Sequence, residues 1–285
     1  MKKNLDKYLK ETEYCDYNNY LIMQTAKYFE KRYKTKKELA VALFYWVKDS
    51  VRYSLGAWNV KASETFTLNN GTCTNKANLL VALYRAVDIP AGFGIMKVNG
   101  QRYLGPACIP MLGNQMNQRS IHTYVAVYLN NKWMKIDPSD DIELSESISH
   151  FNHTADAVEW NGIDNAELNL DENDVYSDEF PIADIDYIMR KKPRNAKGIK
   201  LKMFNIALNF YRKEGKNIKA GEALEPILKK YLLRRYPLYF IFFLSLINYI
   251  QLKSRTAYYV NSLTVGFNEK FTSYMFAELR INREL

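Results

Sequence analysis

The stretch NNGTCTNKANLLVALYRAVDIPA, residues 69–91, constrains this chain more than any other. It opens on turn-forming residues and places Cys73 directly after them. Ala77, Leu80, Val81, Tyr84 and Val87 then recur with the helical period. The pattern stops at DIP, because Pro90 lacks a backbone N–H and restricts Ile89. The spacing predicts a helix with a thiol in its first turn. A thiol attacks or binds only as thiolate. A helix N-terminus offers partial positive charge and free N–H groups, which favour that anion and could also hold an oxyanion. Two readings of Cys73 stand at this point: a small buried residue, or a nucleophile.

A second segment bears on the choice. HTYVAVYL and WMKIDPS, separated by NNK, read as a β-hairpin. If Asn130 and Asn131 form a two-residue turn, Leu129 faces Lys132, Tyr128 faces Trp133, and Tyr124 faces Asp137. Side chains alternate along a strand, so His122 shares a face with Tyr124, and Asp137 lies diagonally across from it. Diagonal neighbours are ~7 Å apart at the backbone, within reach of a carboxylate–imidazole hydrogen bond. A base needs such an imidazole, oriented by an acid on a rigid sheet. Cys73, His122 and Asp137 would meet if the Cys73 helix packed on this sheet.

The 285 residues allow one or two domains with a sizeable core, and 47% hydrophobic content is that of ordinary globular protein. The opening MKKNLDKYLKETEYCDY lacks the apolar run of a signal peptide. Three cysteines, Cys15, Cys73 and Cys108, are too few for a disulfide framework, and no CxxC pair suggests zinc. A reducing, cytoplasmic setting is expected. His150 and His153 stand three apart without an evident third ligand, so no metal and no cofactor are expected.

Helices are expected within 20–53, briefly at 62–67, over the Cys73 segment, and again from about 196. Residues 140–189 carry 15 acidic and no Lys or Arg residues and read as irregular structure with short strands. From Arg190 onward 20 basic residues stand against 6 acidic ones. The composition changes at MRKKPRNAKGIK, which places a boundary there: 1–190, and a basic helical region 191–285. Within the latter, 237–252 is too short for a ~30 Å span and is interrupted by Ser245, Asn248 and Gln251. It reads as a buried core helix, with peripheral membrane contact through 231–255 as the competing reading.

Taken together, FYWVKDSVRY, KASETFTLNNGTCTNKANLLVALYRAVDIPAGFG and HTYVAVYLNNKWMKIDPS resemble, in order, the blocks of the transglutaminase-like superfamily of cysteine enzymes. The resemblance runs from about Lys36 to Ser139. It implies an α+β class: a papain-like core with a nucleophile helix packed on an antiparallel sheet, followed here by a mainly helical C-terminal region. It makes residues 1–190 the catalytic domain. It implies that Cys73 is the nucleophile, His122 the general base and acid, and Asp137 the orienting carboxylate. The family often places a Trp or another side chain upstream as a second oxyanion donor. Trp58 is the candidate for that role, because an indole N–H is a pure donor; Trp46 has core spacing with Leu43 and Val47.

The implied activity is acyl transfer or amide or thioester hydrolysis through a Cys73 thioester. The donor would be a peptide, an amide or a carrier-protein thioester, and the acceptor an amine or water. Some proteins resembling this family form amide bonds from carrier-bound thioesters. Acyl carriers are acidic, so the basic residues Lys229, Lys230, Arg234 and Arg235 are a candidate docking patch for an acidic carrier protein. The alternatives are a cysteine protease and an inactive binding or scaffold protein on the same fold. No nucleic-acid motif accompanies the basic charge, so no specific nucleic-acid partner is expected.

Overall fold

The computed structural model describes residues 5–103, 107, 109–152, 157–191 and 198–256. Cys108, His153 and the C-terminal segment 257–285 lie outside them. The chain divides into two compact units, Met1–Phe240 and Ile241–Leu285.

Two helices lead into the first unit, α1 (Tyr20–Glu30) and α2 (Lys36–Ser50). The region 20–53 is therefore broken at 31–35, where Thr35 starts α2 with a reciprocal cap: Glu38 N–H donates to Thr35 Oγ1 and Thr35 N–H to Glu38 Oε2, both 3.1 Å. β1 (Arg52–Tyr53), α3 (Ala62–Leu68) and β2 (Asn70–Gly71) follow, and β1 pairs in parallel with β2, Tyr53 opposite Gly71. Next comes α4 (Cys73–Arg85), which has its own reciprocal cap between Thr72 and Asn75.

The sheet is four-stranded and antiparallel, in the order β5-β4-β3-β6, with β3 (Ala91–Asn99), β4 (Arg119–Leu129), β5 (Lys132–Ile136) and β6 (Val175–Ile182). The hairpin register is the one expected: Leu129 opposite Lys132 and Tyr128 opposite Trp133. Asn130 and Asn131 hold φ of 51° and 64°, as a type I′ turn requires. α4 packs against β4 and β3. Leu79, Leu80, Leu83, Val125, Val127 and Ile136 belong to the main apolar cluster so formed.

The periodicity of α4 suggested one apolar face, yet every residue from Cys73 to Arg85 is buried. Its two charged residues survive burial because both meet backbone carbonyls. Lys76 Nζ donates to Lys48 O, Val51 O and Asp140 O at 2.5–2.9 Å, and Arg85 donates to Lys10 O, Ala91 O and Ala183 O.

The acidic stretch is more regular than its composition implied. It holds α6 (Ile142–Ile148), strand β6 and the start of α7 (Asp186–Lys191). α6 is only seven residues long and is started by Asp141, whose Oδ1 accepts from Leu144 N–H. Pro110–Gly113 form a one-turn helix, α5. The helices expected after 196 are present as α8 (Ile199–Glu214), α9 (Leu224–Arg235) and α10 (Pro237–Thr256). α8 packs on α6 within the first unit. Among the described residues no helix is long and apolar enough to cross a membrane.

Candidate active site

Three elements bring the candidate residues together. Cys73 is the first residue of α4, His122 lies on β4, and Asp137 directly follows β5. All three are buried: Cys73 is 7% exposed, His122 1% and Asp137 2%. His122 Nε2 lies 2.5 Å from Asp137 Oδ2, the diagonal contact that the hairpin register requires. Asp137 Oδ1 accepts from Ser139 N–H at 2.9 Å and from Ser139 Oγ at 2.5 Å. The carboxylate is therefore fixed on both oxygens, by His122 on one side and the DPS turn on the other.

Since Asp137 occupies Nε2, Nδ1 is the ring nitrogen that remains for another partner. Cys73 lies close enough to His122 and to the Thr123 backbone N–H for both to act on its thiol. Burial alone would push the Cys73 thiol up, but the His122 hydrogen bond, the imidazolium charge and the Thr123 N–H together bring it below its ordinary value. Burial would likewise disfavour protonated His122, yet the Asp137 charge and hydrogen bond, then Cys73, hold it well above the usual imidazole range. Burial raises Asp137, and the His122 charge with the bonds from His122 and Ser139 more than reverse that. All three shifts favour one state, a thiolate beside an imidazolium beside a carboxylate.

Cys15 gives the contrast. It is also buried, and desolvation, the largest influence on it, drives its thiol up to about 12. Burial without a paired imidazole makes a cysteine inert.

Four features of the site were not read from the sequence. The Tyr103 hydroxyl lies 2.9 Å from His122 Nδ1. Tyr53 is buried, and after desolvation the Cys73 thiol is the leading influence that raises its phenol. Lys76, one turn beyond Cys73, ties the 137–140 segment to the end of α2 through the carbonyls described above. Arg212 of α8 donates to Asp141 Oδ2 at 2.5 Å and to Tyr53 O at 2.6 Å. Tyrosines are numerous in this chain, and no spacing singles these two out; α8 reaches the site only through the tertiary fold.

Trp58 is half-buried in the loop before α3, and its carbonyl accepts from Asn75 Nδ2 at 2.9 Å, which ties that loop to the first turn of α4. Trp46 packs against the main core, against Phe29 and Phe66. His150 stands away from the triad, with Nε2 2.6 Å from Ile218 O.

Residues 23–138 match the profile of the transglutaminase-like superfamily, a segment that ends one residue beyond Asp137. This part of the chain is a transglutaminase-like core, as the resemblance of its blocks implied, and the superfamily is one of cysteine-based catalysis. Among solved structures, the chain is similar to a "Putative Cysteine Protease" from Cytophaga hutchinsonii, at 23% identity over 49% of this chain and 43% of that one, with a TM-score of 0.39. The match thus spans less than half of that protein. No curated protein matches the chain.

Proposed function

We propose that Cys73 is the nucleophile of a cysteine acyltransferase or hydrolase, with His122 as general base and acid and Asp137 as the carboxylate that orients it. The observation that supports this most is the 2.5 Å bond from His122 Nε2 to Asp137 Oδ2, which orients the imidazole as a catalytic base requires. The Cys73 sulfur attacks an amide, ester or thioester carbonyl, and its proton resides on His122. Collapse of the tetrahedral adduct forms the S–C bond, breaks the bond to the leaving group, and passes that proton to the leaving amine, alcohol or thiol. An amine or water, deprotonated by His122, then attacks the thioester and returns the thiol. An amine acceptor gives transamidation or amide synthesis, water gives hydrolysis, and both use the same residues. Asp137 keeps the ring in place and stabilises its charge.

The test is the rate of Cys73 alkylation by iodoacetamide against pH. The paired thiol reacts well below the ordinary thiol pKa of ~8.5, and His122→Ala abolishes that low-pH reactivity. A Cys73 that titrates like a free thiol regardless of His122 would return the fold to the scaffold reading.

A further inference from the structure

α10 is apolar on opposite faces, and only one of them is buried. Phe240, Phe243 and Ile247 recur at helical spacing and are 2%, 0% and 8% exposed. The expectation of a core helix over 237–252 holds for that face alone. Leu238, Ile241, Phe242, Ser245 and Tyr249 recur with the same period on the opposite face. All five are exposed, Leu238 by 77%, Ile241 by 55% and Tyr249 by 57%. A surface helix ordinarily turns a polar face outward. An exposed apolar stripe of this kind marks a contact surface.

Charge identifies the partner. Between Glu225 and Glu269 the sequence has no Asp or Glu and six basic residues: Lys229, Lys230, Arg234, Arg235, Lys253 and Arg255. Lys229 is paired with Glu225 at 2.7 Å, while Lys230, Arg234 and Arg235 are exposed. Arg234 and Arg235 close α9, and α10 starts two residues later at Pro237. Lys202 of α8 adds a cation beside the first turn, with Nζ 3.6 Å from the Tyr239 ring centre. Two copies meeting through this stripe would bring like charges together, which disfavours self-association. An anionic lipid surface satisfies both features at once. Its acyl boundary takes the aliphatic and aromatic side chains, and its phosphates take the cations.

We infer that α10 lies along an anionic membrane surface, with Leu238, Ile241, Phe242 and Tyr249 at the acyl boundary and the arginines that precede the helix at the lipid phosphates. The helix rests in the plane of the surface, since no described helix is long and apolar enough to cross.

The test is sedimentation of the full chain with two vesicles, one of phosphatidylcholine alone and one with about a third phosphatidylserine. The mixed vesicles are expected to bind on the order of a hundredfold more tightly than the neutral ones, and high salt is expected to remove that advantage. Arg234→Gln with Arg235→Gln should weaken binding to the mixed vesicles on the order of thirtyfold. Ile241→Gln with Phe242→Gln should weaken it by a similar factor, on the order of thirtyfold. Circular dichroism checks that helix content is kept. If the second pair of changes lowers it, the wild-type comparison of the two vesicles still decides.

Equal binding to both vesicles, or to neither, overturns the assignment. So does wild-type binding by Ile241→Gln with Phe242→Gln, because the stripe would then not touch lipid. Light scattering without vesicles tests the rival occupant. A dimer that this double variant splits would make the stripe an interface between copies, and the lipid assignment would fall.

Discussion

Thr74 Oγ1 donates to Thr123 Oγ1 across 3.0 Å, which ties the residue after Cys73 to the residue after His122. Both hydroxyls are buried, and the bond bridges α4 and β4, the two elements whose spacing sets the thiol–imidazole distance. Thr74→Val keeps the volume and removes the donor. It should cost about 1 kcal/mol of stability, read by denaturant unfolding. It should also reduce the His122-dependent alkylation of Cys73, although neither partner of that reaction is altered. A variant that loses stability but keeps full low-pH reactivity would show that packing alone sets the spacing.

The Tyr103 hydroxyl is the partner of His122 Nδ1, and its ring lies against the imidazole with centroids 5.2 Å apart. Its own phenol is held well above the ordinary value, first by desolvation and then by the neighbouring Tyr53 and Cys73, so it acts as a neutral hydroxyl. Tyr103→Phe removes the competitor for Nδ1 and retains the ring. Cys73 alkylation near pH 6 should then accelerate, because the imidazole is left to the thiol. A slower reaction would mean that the phenol relays or stabilises charge instead.

The triad was legible because its signals are local. A two-residue Asn-Asn turn fixes the parity that brings Asp137 to His122, and a turn before a helix fixes Cys73 at its start. The wrapping was not legible. Lys76 and Arg85 fall outside the apolar positions of the α4 pattern, yet they bond carbonyls contributed by segments up to 98 residues away. Asp141 looked like one acid among many in an irregular stretch, but it caps α6, holds Tyr53 N–H and pairs with Arg212. Periodicity reports which face of an element is apolar. It does not report which distant backbone will satisfy a buried charge.

The Arg212–Asp141 pair connects α8 to the site wall. Both side chains are buried, at 7% and 1% exposure, and Asp141 is also bonded to two backbone N–H groups. Burial raises the Asp141 carboxyl, and the Arg212 hydrogen bond and charge more than reverse this. Its folded value is therefore depressed. The stability it gives is present above the unfolded value and is lost as pH falls through the folded one. Removing one member of a buried pair leaves the other uncompensated, so Arg212→Met should cost about 3 kcal/mol at neutral pH. The deficit should shrink in acid, as Asp141 protonates. Urea unfolding at pH 7 and pH 3 measures both, and an undiminished deficit at pH 3 would place the loss in packing rather than charge.

Asp140 behaves in the opposite sense. Its Oδ2 is buried without a hydrogen-bond partner, and desolvation, followed by the Asp137 charge, pushes its carboxyl from 3.8 to about 7. A folded value above the unfolded one means that the native state binds the extra proton between those two pH values. Stability then falls as pH rises across that window, and the loss is complete above about pH 7. Lys76 donates to the Asp140 backbone carbonyl, not to the carboxylate, so Asp140→Asn preserves that bond. The variant should melt higher than the wild type at pH 8 and nearly with it at pH 4. Tm measured at the two pH values decides the matter. A gain of equal size at both would assign it to the amide's hydrogen bonding, and a loss at pH 8 would mean that the Asp140 charge serves Lys76 more than burial harms it.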